Sequence, residues 1–238
     1  VAVTPGGVDS NSAIAIPRFS RVVSENKDGI NFLFVNPSTV VLKKNTTNGI
    51  FSTEGVVLKE GQPVGLTYVY DEQTNPTQTF TLPDLGIDTS TLQVVVQNSA
   101  QNANQESYIL SVNATNVDAN ARVYYLEENK DGKYQIYFGD GIIGNKLTNG
   151  NIVIISYIVT NGDVANGISS FKPLDVILAG ATVAITTTSI ASSGAPVESI
   201  DKIRLTAPKA YIAQNRAVTK NDYIALINRD YPYFEAVN

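Results

Sequence analysis

The sequence contains no cysteine, histidine, methionine or tryptophan. Without cysteine, the chain can form no disulfide, thiolate nucleophile or soft metal site. Without histidine, it lacks the commonest general base and the commonest transition-metal ligand, so it cannot build a Ser-His-Asp or Cys-His site alone. Carboxylates, hydroxyls, phenols, lysines and arginines remain for chemistry. We therefore expect no cofactor, no metal site and no catalytic residues.

The chain also lacks an excess of positive charge. It carries 17 Lys and Arg against 22 Asp and Glu, for a formal net charge of -5, and shows no basic stripe. Because nucleic-acid interfaces need a concentrated basic face, we expect no nucleic-acid partner. No apolar run has the length that spans a bilayer, and the first residues lack the basic region and apolar stretch of a signal peptide. We therefore expect no membrane association. Since no catalytic residues are expected, we also expect no small-molecule substrate. Since methionine is missing, we expect Val1 to be an internal residue of a longer chain.

Short apolar runs separated by turn residues fill most of the sequence. Hydrophobic residues make up 43% of the chain, which is enough for a core. Regular strand spacing with turn signals favours antiparallel sandwich or barrel-like β domains. Strands are predicted at 30–35, 38–43, 56–58, 64–70, 77–82, 92–96, 108–111, 122–126, 133–138 and 152–159.

The C-terminal part follows a helical pattern after a break at 192–196. Apolar residues recur at helical spacing from 197 to 205, and Pro208 is expected to interrupt or restart that helix. Thr219 and Asp222 resemble a capping box for a second helix. The chain is thus predicted to be mainly β with a C-terminal α-helical segment, an α+β fold. We expect a linker at 1–15, a β domain with room for an insertion at 16–97, a second β domain at 98–192, and a helical segment at 193–238 that leads into a further domain.

The most informative motif is the glycine-dense segment 137–144. Gly139, Gly141 and Gly144 match the G-x-G-x-x-G spacing of dinucleotide-binding turns. That fingerprint requires a helix to begin at the last glycine, where free N–H groups bind the pyrophosphate. Here turn residues follow, and then a β-branched run at 152–159. The motif therefore does not predict a nucleotide site.

The same motif is better interpreted as a bend between strands. We interpret the run at 152–159 as the hairpin partner of the strand that ends at Phe138. Glycines at such a bend supply the positive φ angles that other residues avoid. The predicted structural turn consists of Gly139, Asp140, Gly141 and Gly144.

The pentapeptide Glu-Asn-Lys-Asp-Gly occurs twice, at 25–29 and at 128–132. Each copy precedes an aromatic strand, so we interpret both as hairpin turns that use the same Asp-Gly pair. A calcium loop would need further acidic positions that neither copy has.

Carboxylates near the glycine motif keep two alternatives open. Glu127, Glu128, Asp131 and Asp140 could supply the acid pair of a glycoside hydrolase. Alternating tyrosines together with acids could instead form the groove of a carbohydrate-binding or adhesin-like β module. Acids beside glycine and asparagine are usually turn formers, however, which favours a protein that is not an enzyme.

Two separated signatures occur in a fixed order along the chain. The first runs through 137–144 and continues with Leu147, 150–151, Tyr157, Gly162 and 165–167. The second covers 198–204, 207–208 and 214–223. Together they resemble the baseplate J-like family over roughly residues 16–238. Two signatures in the right order are more specific than either alone.

The resemblance implies a structural subunit of a phage tail baseplate wedge, without an active site. The implied partners are the chain itself, as a homodimer or ring, and other baseplate wedge proteins, in a ring that rearranges on sheath contraction. The implied location is the virion tail baseplate, after assembly in the host cytoplasm. Candidate subunit contacts in the helical signature are Arg204, Asn215, Arg216, Asp222 and Tyr223.

Overall fold

A computed structural model describes residues 1–6, 11–24, 29–112, 117–175, 179–196, 198–213 and 218–230. These residues form sixteen β-strands and two α-helices, so the predicted mainly β fold with a C-terminal helical segment is confirmed. The strands are β1 (Ala2–Thr4), β2 (Ala13–Ile16), β3 (Arg21–Ser24), β4 (Leu33–Val35), β5 (Val40–Lys44), β6 (Phe51–Ser52), β7 (Lys59–Glu60), β8 (Gln62–Val69), β9 (Thr79–Thr81), β10 (Ile87–Gln97), β11 (Gln105–Leu110), β12 (Val123–Glu128), β13 (Tyr134–Phe138), β14 (Ile152–Val159), β15 (Phe171–Pro173) and β16 (Thr182–Ala184). The helices are α1 (Ile200–Ala213) and α2 (Lys220–Asp230).

The chain divides into two compact units. Unit 2 comprises Val35–Thr39 and Gly61–Thr160. Unit 1 comprises the described residues of Val1–Phe34, Val40–Glu60 and Asn161–Asn238. This division differs from the expected limits at 97 and 98, because β10 pairs with β11 on one side and with β14 on the other. The segment expected to be a linker contains β1 and most of β2.

Unit 2 is built on a seven-stranded sheet in the order β8, β14, β10, β11, β12, β13, β9. Neighbouring strands are antiparallel except β11 and β12, which run parallel. The rings of Tyr68 in β8 and Phe80 in β9 lie 5.3 Å apart, and the Tyr68 hydroxyl donates to the carbonyl of Thr81 at 3.1 Å. Because β8 and β9 are the two edges, the sheet curls until its edges meet, which gives a barrel-like form.

One hydrophobic core fills unit 2. Alternate residues of β14 point into it, as expected for a strand whose successive side chains face opposite sides. Two interior strands of the sheet, β10 and β14, are also among the longest in the chain, at 11 and 8 residues. The buried residues of this core are Tyr70, Phe80, Leu82, Ile87, Leu92, Val94, Val96, Tyr108, Tyr124, Ile136, Phe138, Leu147, Val153, Ile155 and Tyr157.

The strand pairing overturns the predicted hairpin between β13 and β14. β13 pairs with β12 and β9, whereas β14 pairs with β10 and β8. The turn at 129–133 brings β12 back beside β13, and β9 occupies the other edge of β13, so no edge is left for β14. The thirteen residues from Gly139 to Asn151 form a crossover rather than a tight turn, since hairpin loops have about two to five residues.

Unit 1 contains two smaller sheets. The first has the order β16, β1, β6, β5, β2, with neighbours antiparallel, and the second has the order β15, β3, β4, β7. Each covers a small apolar cluster. The buried residues are Val3, Ile16, Leu42 and Phe51 in the first cluster, and Phe32, Phe34, Ala165 and Ile168 in the second.

The two helices contact each other. Pro208 lies inside α1 and does not interrupt it, against the prediction. Both Pro208 and Arg204 are exposed, so water can satisfy the Arg204 carbonyl that the proline leaves without a donor. The predicted capping box is confirmed at α2: the Asp222 N–H donates to Thr219 Oγ1 at 3.2 Å, and the Thr219 N–H donates to Asp222 Oδ2 at 2.8 Å. Neither described helix is long and apolar enough to span a membrane.

Candidate functional site

The predicted turn lies at the start of the segment Gly139 to Asn151, which we call the crossover loop. The Asp140 carboxylate accepts the N–H groups of Ile142 and Ile143 at 2.8 and 2.9 Å. The hydrogen bond from the Ile143 N–H and, to a smaller extent, that from the Ile142 N–H hold the pKa of Asp140 below its usual value. The carboxylate is therefore ionised at neutral pH and closes the turn.

Glycine is required at several points of this loop for steric reasons. A Cβ at Gly139 would lie 2.2 Å from the carbonyl carbon of Gly144, so any side chain there would collide with backbone. Gly141 and Gly144 have φ angles of 89° and 87°, which L-residues rarely adopt. No helix begins at Gly144, and residues 145–148 are irregular. The structural requirement of a dinucleotide fingerprint is thus not met.

The middle of the crossover loop is fastened to the segment that precedes β12. The Gly144 N–H donates to the carbonyl of Asp118 at 3.0 Å, and the Asn145 N–H donates to that of Ala121 at 2.8 Å. The Asn145 side-chain amide donates to the hydroxyl of Tyr108 at 2.9 Å. Burial raises the pKa of Tyr108, while this hydrogen bond acts in the opposite direction. The loop is therefore held by backbone and side-chain contacts together.

Gln78 was not identified from the sequence, although it holds this loop at its first residue, Gly139, and again at Leu147. Its side-chain amide donates to the carbonyl of Gly139 at 3.0 Å, and its Oε1 accepts the N–H of Leu147 at 2.7 Å. Gln78 is buried and has a φ of 53°, which is uncommon for a residue with a side chain. Asn75, three residues earlier, accepts the N–H of Thr79 and so orders the turn that presents Gln78. The sequence marks this turn by the pair Asn75-Pro76, which precedes the strand that contains Phe80.

The acidic residues weighed for hydrolysis have local contacts of other kinds. Glu127 accepts the hydroxyl of Tyr137 at 2.8 Å. Burial and, to a smaller extent, the hydrogen bond to Glu127 raise the pKa of Tyr137 to about 12. Asp131 lies in the hairpin turn between β12 and β13, where the Asn129 side chain accepts its N–H at 2.9 Å. That hairpin is the predicted one for the second pentapeptide copy, whereas residues 25–28 of the first copy lie outside the described residues.

The tyrosines weighed for sugar binding do not share one face. Tyr124 is buried in the core of unit 2. Tyr125 and Tyr137 stack on each other on the opposite face of β12 and β13, with ring centroids 5.1 Å apart. In the described parts of the chain, no group of three or more acidic residues is close enough to hold a metal ion.

The candidate subunit contacts lie on the two helices. Arg204 is exposed on α1 and approaches Asp201 at 3.6 Å. Tyr223 is exposed on α2, and the Asp222 carboxylate caps the start of that helix. Asn215 and Arg216 lie outside the described residues.

Most of unit 2 is similar in sequence to a domain of a phage protein. The profile of the family described as "Bacteriophage baseplate wedge protein gp6, third domain" matches residues 67–161, a segment that includes the crossover loop. The chain is 26% identical over 240 residues to baseplate wedge protein gp6 of Enterobacteria phage T4, which covers 90% of this chain and 34% of that protein. The chain thus spans about a third of the length of the curated relative it matches. Membership of the baseplate J-like family stays a prediction, while the predicted similarity of this chain to phage baseplate wedge proteins is confirmed.

Proposed function

We propose that this chain is part of a structural subunit of a phage tail baseplate wedge. The observation that carries the proposal is the match of residues 67–161 to the third domain of the wedge protein gp6, because these residues form most of unit 2. The similarity to gp6 of phage T4 supports the same assignment over 90% of the chain. In this role the protein is located in the tail baseplate of the virion, after assembly in the host cytoplasm.

The subunit self-associates as a homodimer or ring and binds other wedge proteins, in a ring that rearranges when the sheath contracts. Membership of the baseplate J-like family is part of the same proposal. The exposed side chains of Arg204 and Tyr223 support a subunit contact on the helices, since α1 also exposes Ile200 and Leu205. A contiguous group of exposed apolar side chains commonly marks a protein interface.

The role is structural rather than catalytic. The absence of histidine and cysteine from the sequence supports this inference, because the commonest nucleophiles and bases are missing. So do the contacts of Glu127 and Asp140, whose carboxylates bind a neighbouring tyrosine and the loop backbone. An inverting or retaining hydrolase would need two carboxylates facing each other across a cleft.

Assembly with purified partners tests the proposal. The full-length protein that contains this chain is mixed with the other wedge proteins of its phage, and the molar mass is measured by size-exclusion light scattering. We expect a complex heavier than any single component. A protein that stays monomeric with every partner present would contradict the proposed function.

Labelling of virions tests the location separately. Antibodies against residues 61–160, visualised with gold particles in the electron microscope, are expected to bind at the distal end of the tail. Antibodies against a capsid protein of the same phage provide the control. Labelling of the capsid by both antibodies would contradict the proposed location.

A further inference from the structure

Exposed aliphatic side chains of unit 2 are concentrated in two segments of the chain, one at the end of β11 and one in the crossover loop. Ile142, in the crossover loop, is 75% exposed, and Ile109, near the end of β11, is 71% exposed. Scattered apolar residues are normal on a protein surface, but a contiguous group marks an interaction site. Of the seven large aliphatic residues that unit 2 exposes in its described part, five belong to these two segments, namely Ile109, Leu110, Val112, Ile142 and Ile143.

The two segments meet at Val123. Ile109 is the register partner of Val123 in the parallel pairing of β11 with β12. A Cβ on Gly144 would lie 2.9 Å from a methyl carbon of Val123, so the crossover loop rests against this side chain. The neighbouring Tyr108 and Tyr124 are buried in the core, which places Ile109 and Val123 on the outer face of the sheet. By the same alternation Leu110, the register partner of Tyr124, faces the core side of the sheet. We call the surface formed by Ile109, Val123, Ile142 and Ile143 the apolar corner.

The loop part of the apolar corner is ordered by its own contacts. Asp140 binds the N–H groups of Ile142 and Ile143 themselves, and the Gly141 N–H donates to the carbonyl of Gly144 at 3.0 Å. Gln78 fastens the loop at Gly139 and at Leu147. A partner that binds the isoleucines therefore loses little free energy to ordering the loop, which favours affinity.

The charges around the apolar corner have a surplus of one sign. Arg122 pairs with Glu106 at 3.1 Å, and Lys146 pairs with Glu72 at 2.7 Å, so these four side chains compensate one another. Asp118 lies in the segment before β12, and Asp140 lies in the crossover loop, which the Gly144 N–H joins to the Asp118 carbonyl. Neither carboxylate forms an ion pair within the described residues. The rim therefore carries two uncompensated carboxylates. Such a rim suits a partner that carries lysine or arginine beside an apolar pocket.

A second copy of this chain fits the apolar corner less well. A two-fold contact places the same surface of each copy against the other. Both sides of such a contact would carry the surplus negative charge of Asp118 and Asp140. Like charges brought together at an interface oppose association, so the occupant is expected to be a different protein.

We propose that the apolar corner is the surface by which this subunit docks onto a different wedge protein, at an apolar pocket rimmed by lysine or arginine. The inference rests on the proposed function, because that function supplies the class of partner. It adds the surface, the residues and the charge of the partner's contact region.

The test uses the full-length protein that contains this chain, with each purified wedge protein of the same phage as the probe in surface plasmon resonance. Ile109→Thr and Ile142→Thr remove apolar surface and keep a β-branched side chain, so the fold is retained. Val69→Thr is the matched control for the strand and Leu85→Thr for the loop, since these residues are 68% and 62% exposed. Equal melting temperatures verify that all four variants fold.

Ile109→Thr and Ile142→Thr are each expected to weaken binding to one wedge protein about tenfold, while the controls stay within about twofold. Asp118→Asn keeps the oxygen that accepts the Asn120 N–H and is expected to slow association at low salt, with a weaker salt dependence. Equal affinities for all four threonine variants would overturn the inference. So would loss of self-association in Ile142→Thr with wedge binding retained, because the occupant would then be a second copy. If the wild-type protein binds no wedge protein, the proposed function fails as well.

Discussion

The two units bury their apolar residues in different ways. In the described residues, unit 2 has one core of fifteen buried residues, whereas unit 1 has two clusters of four. The strands of unit 2 reach 11 residues, but those of unit 1 have two to five. A larger continuous core excludes more apolar area from water and unfolds more cooperatively. The comparison indicates that unit 2, which contains most of the segment matched to the wedge domain, depends less on the rest of the chain for its stability.

The largest expected effect is the loss of an aromatic ring from the core of unit 2. Phe138 packs edge-on against Tyr108 and Phe80, with ring centroids 5.3 and 5.8 Å away. Phe138→Ala is expected to destabilise unit 2 by about 3 to 5 kcal/mol. Hydrogen exchange measured by mass spectrometry should show faster exchange in β8 to β14 together.

The matched variant in unit 1 is Phe51→Ala, which removes a fully buried ring from a small cluster. Its effect on exchange is expected to stay within β1, β2, β5, β6 and β16. If Phe51→Ala increased exchange in unit 2 as much as Phe138→Ala does, the two units would not be separate bodies, and the comparison would be wrong.

A smaller but position-specific effect is expected in the crossover loop. Gly139→Ala places a Cβ against the carbonyl group of Gly144 and is expected to destabilise unit 2 by about 3 kcal/mol. Gly65→Ala in β8 is the control, because nothing lies within 4 Å of its Cβ position. That control is expected to stabilise unit 2 by about 0.5 to 1 kcal/mol. Urea unfolding measures both, and an equal effect of the two changes would contradict the described loop.

The third effect concerns a buried hydrogen bond to a charged acceptor. Tyr157 is fully buried, and its hydroxyl donates to the Asp84 carboxylate at 2.6 Å. Tyr157→Phe is expected to lower the stability of unit 2 by about 1.5 kcal/mol at pH 8. Thermal unfolding of the variant and the wild type provides the measurement.

The sign of the pH dependence follows from the pKa of Tyr157. Burial, followed by the bond to Asp84, raises this pKa above the unfolded-state value of about 10. The stabilisation is therefore fully present below pH 10 and is lost as pH rises toward the folded-state pKa. The difference between wild type and Tyr157→Phe should shrink above pH 10. A difference that grew with pH would contradict the hydrogen bond.

The smallest expected effect lies in unit 1 and has the opposite pH dependence. Arg21 donates to Asp175 through its Nε and Nη2 atoms at 3.0 and 2.7 Å. These bonds hold the pKa of Asp175 below its usual value, so their stabilisation is present above the unfolded-state pKa of about 4 and is lost as pH falls through the folded-state value. Asp175→Asn is expected to lower the melting temperature of unit 1 slightly at pH 7 and not at pH 2, since the pair is partly exposed.

Local sequence patterns predicted several elements because adjacent residues decide them. The β-branched run at 152–159 coincides with β14. The Asp-Gly turn after Glu128 joins β12 to β13, and Thr219 with Asp222 caps α2. In the candidate site, the glycines and Asp140 form a turn with positive φ at Gly141 and Gly144. Each of these features depends on atoms only a few residues apart along the chain.

Long-range pairing was not predictable in the same way. The sequence pattern predicts that the strand after the glycine motif pairs with β13, but this strand, β14, lies between β8 and β10. β-branched side chains fit any strand that is buried on both faces, so the pattern does not specify the neighbour. Gln78 was missed for a related reason, because its two partners are 61 and 69 residues away in sequence.

The amino-acid sequence by itself determined the β-rich class, the turns and helix caps, and the similarity to phage baseplate wedge proteins, because these depend on composition and local spacing. The tertiary structure alone decided that the glycine motif begins a crossover, that Gln78 fastens it, and that Ile109 and Ile142 expose one apolar corner. Those features depend on which edges of the sheet are free and on which distant groups complete each hydrogen bond. Both are determined only when the whole core of unit 2 forms.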